Sequence, residues 1–547
     1  MRPEPPTPGA ATGSFALLRQ PVFGMLWLAT VLGNVGSFMR DVVSSWMVAE
    51  LSASPTVVAL MQTAATLPIF LLSIPAGVLS DILDRRRFLI GIQVLLGGVS
   101  LALMLLARGH ALSIEWLIGL TFLGGVGAAL MGPTWQSIVP DLVARADLRN
   151  AVALNSLGIN VSRAIGPALG GFLLLALGAS MTYGANVLTY AFVVAALLRW
   201  RRPASADSAL KEHFFGALRA GLRYGRSSRE LRIVLLRSAV FFAFASAVWA
   251  LLPLVARQTP GGSAGFYGLM LGAVGVGAIL GALLLPRLRQ RVDADGLLLL
   301  ASLIAAIVTA ALALAPPRWL GLLLMLVLGL GWIIALTTLN GVAQAVLPNW
   351  VRGRGLAVYL TVFNGAMAGG SLAWGLVAQQ LGVPVTLFAG ACGLALAGVV
   401  MHRVKLPSSD AELTPSNHWP EPLLSAPVAH DRGPVLVQVD YRIRLQDRPA
   451  FLAVLVQLSR QRRRDGAYAW GLTEDSRDPE RLVEWFLLES WAEHLRQHQR
   501  VSVADAALQA TAHRLHQGPG QPAVFHFLAL DLEGADSPDL PTEKETS

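Results

Sequence analysis

Charge and cysteine are both scarce in this chain. Only 14% of its 547 residues are charged against 54% hydrophobic, too little charge to clothe a soluble protein of this length. Lipid must solvate most of it. The single cysteine, Cys392 in a late apolar run, excludes an internal disulfide framework and a cysteine-built metal site. Redox chemistry is not indicated. The first twenty residues are polar and Pro-rich. They lack the basic head, short apolar core and small-residue cleavage site of a signal peptide, so the first apolar run is expected to be retained.

Long apolar runs are what the chain has in quantity. About twelve are long enough to cross a bilayer, at 22–48, 55–79, 88–107, 114–138, 152–177, 182–200, 233–256, 264–286, 296–315, 319–345, 355–380 and 384–402. The net charge of +9 must be read by location before it is read as a total. Cations cluster at Arg85 to Arg87, Arg145 and Arg149, Arg199, Arg201 and Arg202, Arg287 to Arg291, Arg352 and Arg354, and Arg403 with Lys405. These are every second loop, and the alternate loops hold chiefly Arg108, Arg257 and Arg318. Basic short loops stay on the cytoplasmic side, so a multi-pass protein of the cytoplasmic membrane with both termini in the cytoplasm is expected. Nucleic acid is not an expected partner.

The chain is organised as two halves. Gln136-Ser137-Ile138-Val139-Pro140 closes the fourth span and Gln344-Ala345-Val346-Leu347-Pro348 closes the tenth. A basic loop and a Gly-rich span follow each, with Gly166 and Gly171 spaced like Gly370 and Gly375. Such internal repetition is typical of transporters built from two related six-helix bundles. The expected segments are a cytoplasmic tail (1–20), a first bundle (21–200), a linker (201–232), a second bundle (233–405), a Pro- and Ser-rich linker (406–432), an α+β domain (433–530) and a disordered tail (531–547). In 201–232, Lys211, His213, Arg219, Arg223, Arg226 and Arg229 interleave with Phe214, Phe215, Leu218 and Leu222. That suits an amphipathic helix on an anionic leaflet. From Val435 the order β-α-β-β-α-β suggests a ferredoxin-like sheet with helices on one face.

Several constellations could carry function. Between the second and third spans stands Gly77-Val78-Leu79-Ser80-Asp81, followed by Asp84 and the cluster Arg85, Arg86, Arg87. In the fifth span, Gly166-Pro167-Ala168-Leu169-Gly170-Gly171 bends the helix and lets a neighbour approach closely. Arg40 and Asp41 interrupt the first span and Arg163 the fifth; ionisable groups inside spans default to functional hypotheses. Asp41 is a candidate coupling carboxylate and Arg163 a candidate anion contact. The alternative is that Arg40 and Asp41 snorkel or pair locally near the outer interface. Asn34, Gln62, Asn155, Asn160, Asn340 and Asn364 are uncharged cavity candidates. In the C-terminal domain His494 and His498 share a helical face, but two ligands do not make a metal site. They read as surface histidines, and Trp470, Trp485 and Trp491 as core aromatics. No catalytic residue, cofactor or metal is expected.

These strings carry a resemblance. G-x-L-x-D with its basic cluster is similar to the loop motif of the major facilitator superfamily, with Asp84 where the general motif has a second Gly. G-P-x-x-G-G resembles the fifth-span motif of its antiporters, with Ala153 and Ser162 where the longer motif has Gly. The segment Glu484 to His494 resembles the strand-to-helix passage of small monooxygenase-like domains that dimerise through their sheets. Together these narrow the resemblance to the transmembrane secretion effector branch, which contains enterobactin-exporter-like proteins. It implies an all-α polytopic fold of twelve helices in two six-helix pseudo-repeats, plus the α+β domain. It also implies efflux of a small organic molecule by alternating access, with a proton as coupling ion and dimerisation through the C-terminal domain. Asp81 is implied to face the N-terminus of the eleventh span and Arg85 to pair across the same cytoplasmic gate, with Gly77 and Arg86 in the motif. The fourth span has no Arg or Lys to join that network. A membrane-anchored enzyme or sensor acting through residues 433–530 is the alternative.

Overall fold

The computed structural model describes residues 14–144, 147–200, 223–348, 350–407, 416 and 428–530. Most of the expected linker helix, most of the 406–432 linker and the acidic tail lie outside the described residues.

Long helices follow the apolar runs. They are α1 (Pro21–Leu51), α2 (Pro55–Ile82), α3 (Arg85–Arg108), α4 (Ile114–Leu142), α5 (Leu148–Arg199), α6 (Arg229–Gln258), α7 (Ala264–Arg289), α8 (Ala294–Ala313), α9 (Arg318–Ala345), α10 (Arg352–Leu381) and α11 (Val383–His402). Among the described residues these eleven are long and apolar enough to cross a membrane. Capping side chains set several starts. Ser54, Ser113 and Ser263 accept from the backbone N–H of Val57, Trp116 and Phe266, and Asp84 and Asp293 accept from those of Arg87 and Gly296. Large apolar side chains face outward: Leu175, Leu188, Leu283 and Ile307 are each at least 67% exposed. Water would penalise that surface and hydrocarbon suits it.

One helix is too long for a single crossing. At 52 residues α5 would stretch to roughly 78 Å if straight, against a hydrocarbon core of about 30 Å. It breaks at Gly178, whose φ of 80° and ψ of 172° lie where a side chain is strained. The sequence suggests two spans here with a short connection; the chain instead turns on one glycine. Within this membrane unit α1 packs on α5, α2 on α4, α3 on α5, α8 on α11, and α5 on α7.

The second unit is built on an antiparallel four-stranded sheet of β1 (Val435–Arg442), β2 (Ala469–Asp475), β3 (Asp478–Leu488) and β4 (Ala523–Leu528), in the order β2-β3-β1-β4. Helix α12 (Arg448–Asp465) joins β1 to β2; α13 (Trp491–Arg500) and α14 (Val503–Leu515) together join β3 to β4. The sequence suggests one helical stretch over 491–516, whereas Ser502 starts a second helix with a reciprocal capping box to Asp505. Val437, Val439, Tyr441, Leu482 and Phe486 alternate into a core closed by Phe451, Leu455, Leu458 and Trp491. Trp470 is only partly buried and Trp485 lies on the opposite sheet face, against Gly471, so the three tryptophans are not one core set. Two segments from between the spans, 223–231 and Ala345–Arg352, belong to this unit.

Candidate transport pathway

Two seams join the first bundle to the second. In the first, the small residues of α5 meet two partners. A Cβ at Gly166 would lie 2.7 Å from Phe38 Cβ, and one at Gly170 2.8 Å from Met39 Cα, both on α1. At Gly171 it would lie 2.5 Å from the Ala264 carbonyl and 3.0 Å from Gly268 Cα, on α7 of the other bundle. Only glycine permits that approach. Between them Pro167 supplies no N–H to the helix ladder and lends its carbonyl to the same contact with Gly268. Nearby, Trp46 stacks on Tyr267 at 6.0 Å and Arg257 donates to the Ala49 carbonyl.

The second seam runs between α2 and α10. Thr56 and Thr63 donate to the carbonyls of Gly375 and Ala368, both at 3.1 Å, and Ser54 donates to Gln379 at 2.7 Å. Phe70 lies against Gly365. Every one of these inter-bundle contacts falls between mid-span and the end remote from the basic clusters. They are made by glycines, aromatic rings, hydroxyls, an amide and carbonyls, and among them only Arg257 is charged.

The ionisable residues inside the spans are placed as follows. Arg40 is buried, donating to Asp41 at 2.8 and 3.1 Å and to the Tyr190 hydroxyl at 3.4 Å. Tyr190 in turn meets Ser37 at 2.9 Å. The Asp41 side chain is 50% exposed, so one carboxylate serves as partner to Arg40 while keeping an open side. Arg163 lies 6.0 Å from the Phe38 ring centroid, next to the α5–α1 contact. Asn364 is buried and donates to the Leu360 carbonyl within its own helix, and Asn160 donates to Ser156 in the same way.

At the basic loop, Gly77 sits in α2 with open space at its Cβ position, and the Asp81 side chain lies outside the described side chains. Asp84, the departure from the motif, caps α3: its carboxylate accepts from Arg87 N at 2.8 Å. Arg86 donates to the carbonyls of Leu197 and Leu198 at 2.9 and 2.8 Å, closing the last turn of α5. Cations favour a helix C-terminus, where carbonyls lack partners. Arg85 begins α3 and is half-buried.

Sequence reasoning missed a buried pair in the second bundle. Arg237 of α6, 1% exposed, is bonded to Asp295 of α8 and donates to the Val404 carbonyl at 3.0 Å; Asp295 accepts from Leu406 N at 3.1 Å. Lys405 stands 3.9 Å from the same carboxylate. A lone Arg inside the seventh apolar run was the available signal. Its partner looked like a loop charge.

It also missed the polar hub of the sheet unit. Glu493 on α13 accepts from Arg500 at 2.5 and 3.2 Å and from Arg223 at 3.1 Å. Arg500 lies over the Trp350 ring at 4.4 Å, and Trp350 meets Tyr224 edge to face at 5.9 Å. Tyr224 donates to the Val346 carbonyl at 3.2 Å. Arg464 binds Asp465 at 2.8 Å and Asp505 at 2.6 Å. Burial opposes the charge on Glu493, but Arg500 and then Arg223 more than offset it, holding the carboxyl below its usual range. Arg223, expected to face lipid headgroups, is spent on Glu493 instead. The reason is that its segment belongs to this unit.

Comparison with known proteins completes the assignment. The chain belongs to the transmembrane secretion effector family, whose model matches residues 12–533. It is 24% identical over 366 residues to the staphyloferrin A transporter of Staphylococcus aureus (strain NCTC 8325 / PS 47), covering 66% of this chain and 88% of that protein. To the enterobactin exporter EntS of Salmonella typhi it is 28% identical over 392 residues, covering 70% and 92%. A bacterial homologue of the human lysosomal transporter Spinster, solved in an inward-facing, unoccupied conformation, shares the fold at a TM-score of 0.55 and 16% identity, over 71% of this chain and 96% of that one. The protein is a membrane-embedded transporter of the major facilitator superfamily and not an enzyme.

Proposed function

We propose that this protein exports a small organic molecule across the cytoplasmic membrane by alternating access, in exchange for protons. The observation that carries the reading is the pair of seams. Among the described residues the contacts that join the two bundles are small-residue packing, aromatic contacts and mostly neutral hydrogen bonds from mid-span to the end remote from the basic loops; that suits rocking about mid-span, and closure at that end is the state that loads from the cytoplasm. Counting the two arms of α5 separately gives twelve spans, which returns the chain to the side on which it began. The basic loops favour the cytoplasm for both termini. Relatives named for staphyloferrin A and enterobactin make such compounds the first substrates to assay.

Asp41 is our candidate for the coupling carboxylate, because it is half-exposed beside a buried Arg40. Asp81 and Arg85, with Gly77 and Arg86, are our candidates for the gate that closes the cytoplasmic end in the opposite state, and Gly166, Pro167, Gly170 and Gly171 for the hinge-side packing. Arg163 is retained as an anion contact. The order β2-β3-β1-β4 with helices in both crossovers supports a ferredoxin-like domain. Phe525 and Phe527, 46% and 48% exposed on the sheet face that carries Trp485, favour dimerisation there. The test is export in proteoliposomes with and without a pH gradient. Asp41→Asn should abolish gradient-driven export yet preserve passive exchange of a neutral substrate. Intact uphill export in that variant removes Asp41 from the mechanism; equal loss of both modes returns it to a structural partner of Arg40.

A further inference from the structure

Of the two histidines expected at the surface, one is buried. His494 is 1% exposed, and neither of its ring nitrogens has a hydrogen-bond partner among the described residues. An imidazole must donate from one nitrogen and accept at the other, so a buried ring with both unmet forfeits about 1–3 kcal/mol per group. Such a position calls for an occupant. Two neighbours supply its outline. His498, one turn along α13, brings its ring centroid to 4.6 Å, and His526 of β4 comes to 4.7 Å.

The third residue arrives through strand register. His526 pairs with Val437 of β1, and Val437 points into the core beneath the helices. Alternation along β4 therefore turns His526 toward α13 and its neighbours Phe525 and Phe527 to the other face. Ligand atoms of the three histidines lie within 4.8 Å of one another. Tetrahedral bonds of about 2.0–2.1 Å place ligand nitrogens roughly 3.4 Å apart, so the rings need to draw in by about an ångström. His498 and His526 are partly exposed, which leaves a route for an ion and a place for water.

We propose that His494, His498 and His526 form a three-histidine site for a divalent transition-metal ion, zinc in the first instance. Three imidazoles with no thiolate or carboxylate among them select zinc and its late first-row neighbours over magnesium and calcium, which require oxygen. The neighbouring Arg462 has its charge engaged by the buried Glu484 at 3.1 Å. A bound ion would tie α13 to the edge strand. The same helix carries Glu493 and Arg500, which hold Arg223 and Trp350.

The test uses the full chain in detergent, purified without a polyhistidine tag and stripped with chelator. Titration with cobalt(II), followed by its visible ligand-field bands, and competition by zinc(II) should give one saturable site per chain. His498→Gln and His526→Gln, at partly exposed positions that spare the buried ring, should each weaken binding by about 100-fold or more, since even outer-shell losses cost 10–100-fold. His430→Gln, on an exposed turn, should bind as the parent does. Gel filtration establishes that each variant is folded. Failure of the folded parent to take up cobalt or zinc at micromolar concentration overturns the proposal, as does equal affinity in parent and both ligand variants.

Discussion

The membrane unit and the sheet unit join their parts with opposite chemistry. Between the two bundles the described contacts are chiefly glycine against backbone, ring against ring or glycine, and hydroxyl against carbonyl or amide, nearly all uncharged. Inside the sheet unit, segments from distant parts of the chain meet through Glu493, Arg500, Arg223, Arg464, Asp505 and two aromatic rings. The difference follows from what each must do. Neutral contacts worth about 1 kcal/mol apiece can part and re-form in every cycle, whereas a buried ionic network resists opening because each partner left alone is costly. A transporter needs the first between its moving halves. The second suits a fixed grip on the stretches that lead into α6 and α10.

The comparison is easiest to break at one of its tight neutral contacts. Gly171→Leu places a branched side chain where even a Cβ would lie 2.5 Å from the Ala264 carbonyl. The seam should not close, and export should fall below detection while the chain still inserts, as substrate efflux and membrane immunoblotting will show. Next in size, Glu493→Gln strips the shared carboxylate from Arg500 and Arg223. It should lower the stability of the sheet unit by about 3 kcal/mol, read as an earlier transition of Trp350 and Trp491 fluorescence in urea. Acid should imitate that variant. Glu493 and Asp505 both sit below the usual carboxylate range when folded, so their contribution is complete above an unfolded pKa of about 4 and is lost as pH falls through the folded values. Asp465 runs the other way, because burial outweighs Arg464 and raises it, and it shallows the loss. The same urea transition measured from pH 7 to pH 3 checks the sign. Smallest is Thr63→Val, which removes one neutral hydrogen bond to Ala368; export should stay within about twofold.

The spans were legible because a bilayer imposes length and apolarity on each one, and the sheet strands because alternation marks a half-buried face. The close-packing glycines at 166, 170 and 171 were legible for the same reason: composition alone says a neighbour comes near. What escaped were pairings set by tertiary approach. Tyr224, Trp350 and Arg500 are far apart in sequence, and no local pattern announces that they meet. His526 is the instructive case. The pair His494 and His498 was visible at helical spacing, but the third histidine reaches them only because β4 pairs with β1 in the register Val437 to His526. Arg237 and Asp295 were visible singly and unreadable as a pair until α6 and α8 were side by side.

The central claim is that the seam remote from the basic loops must open in every transport cycle. Replace Cys392 with Ser, place cysteines at Ser54 and Gln379, whose side chains meet at 2.7 Å across α2 and α10, and bridge them with a short reducible thiol cross-linker in proteoliposomes. The account predicts that cross-linking stops export and that reduction restores it. Unaltered export from the fully cross-linked protein would contradict it.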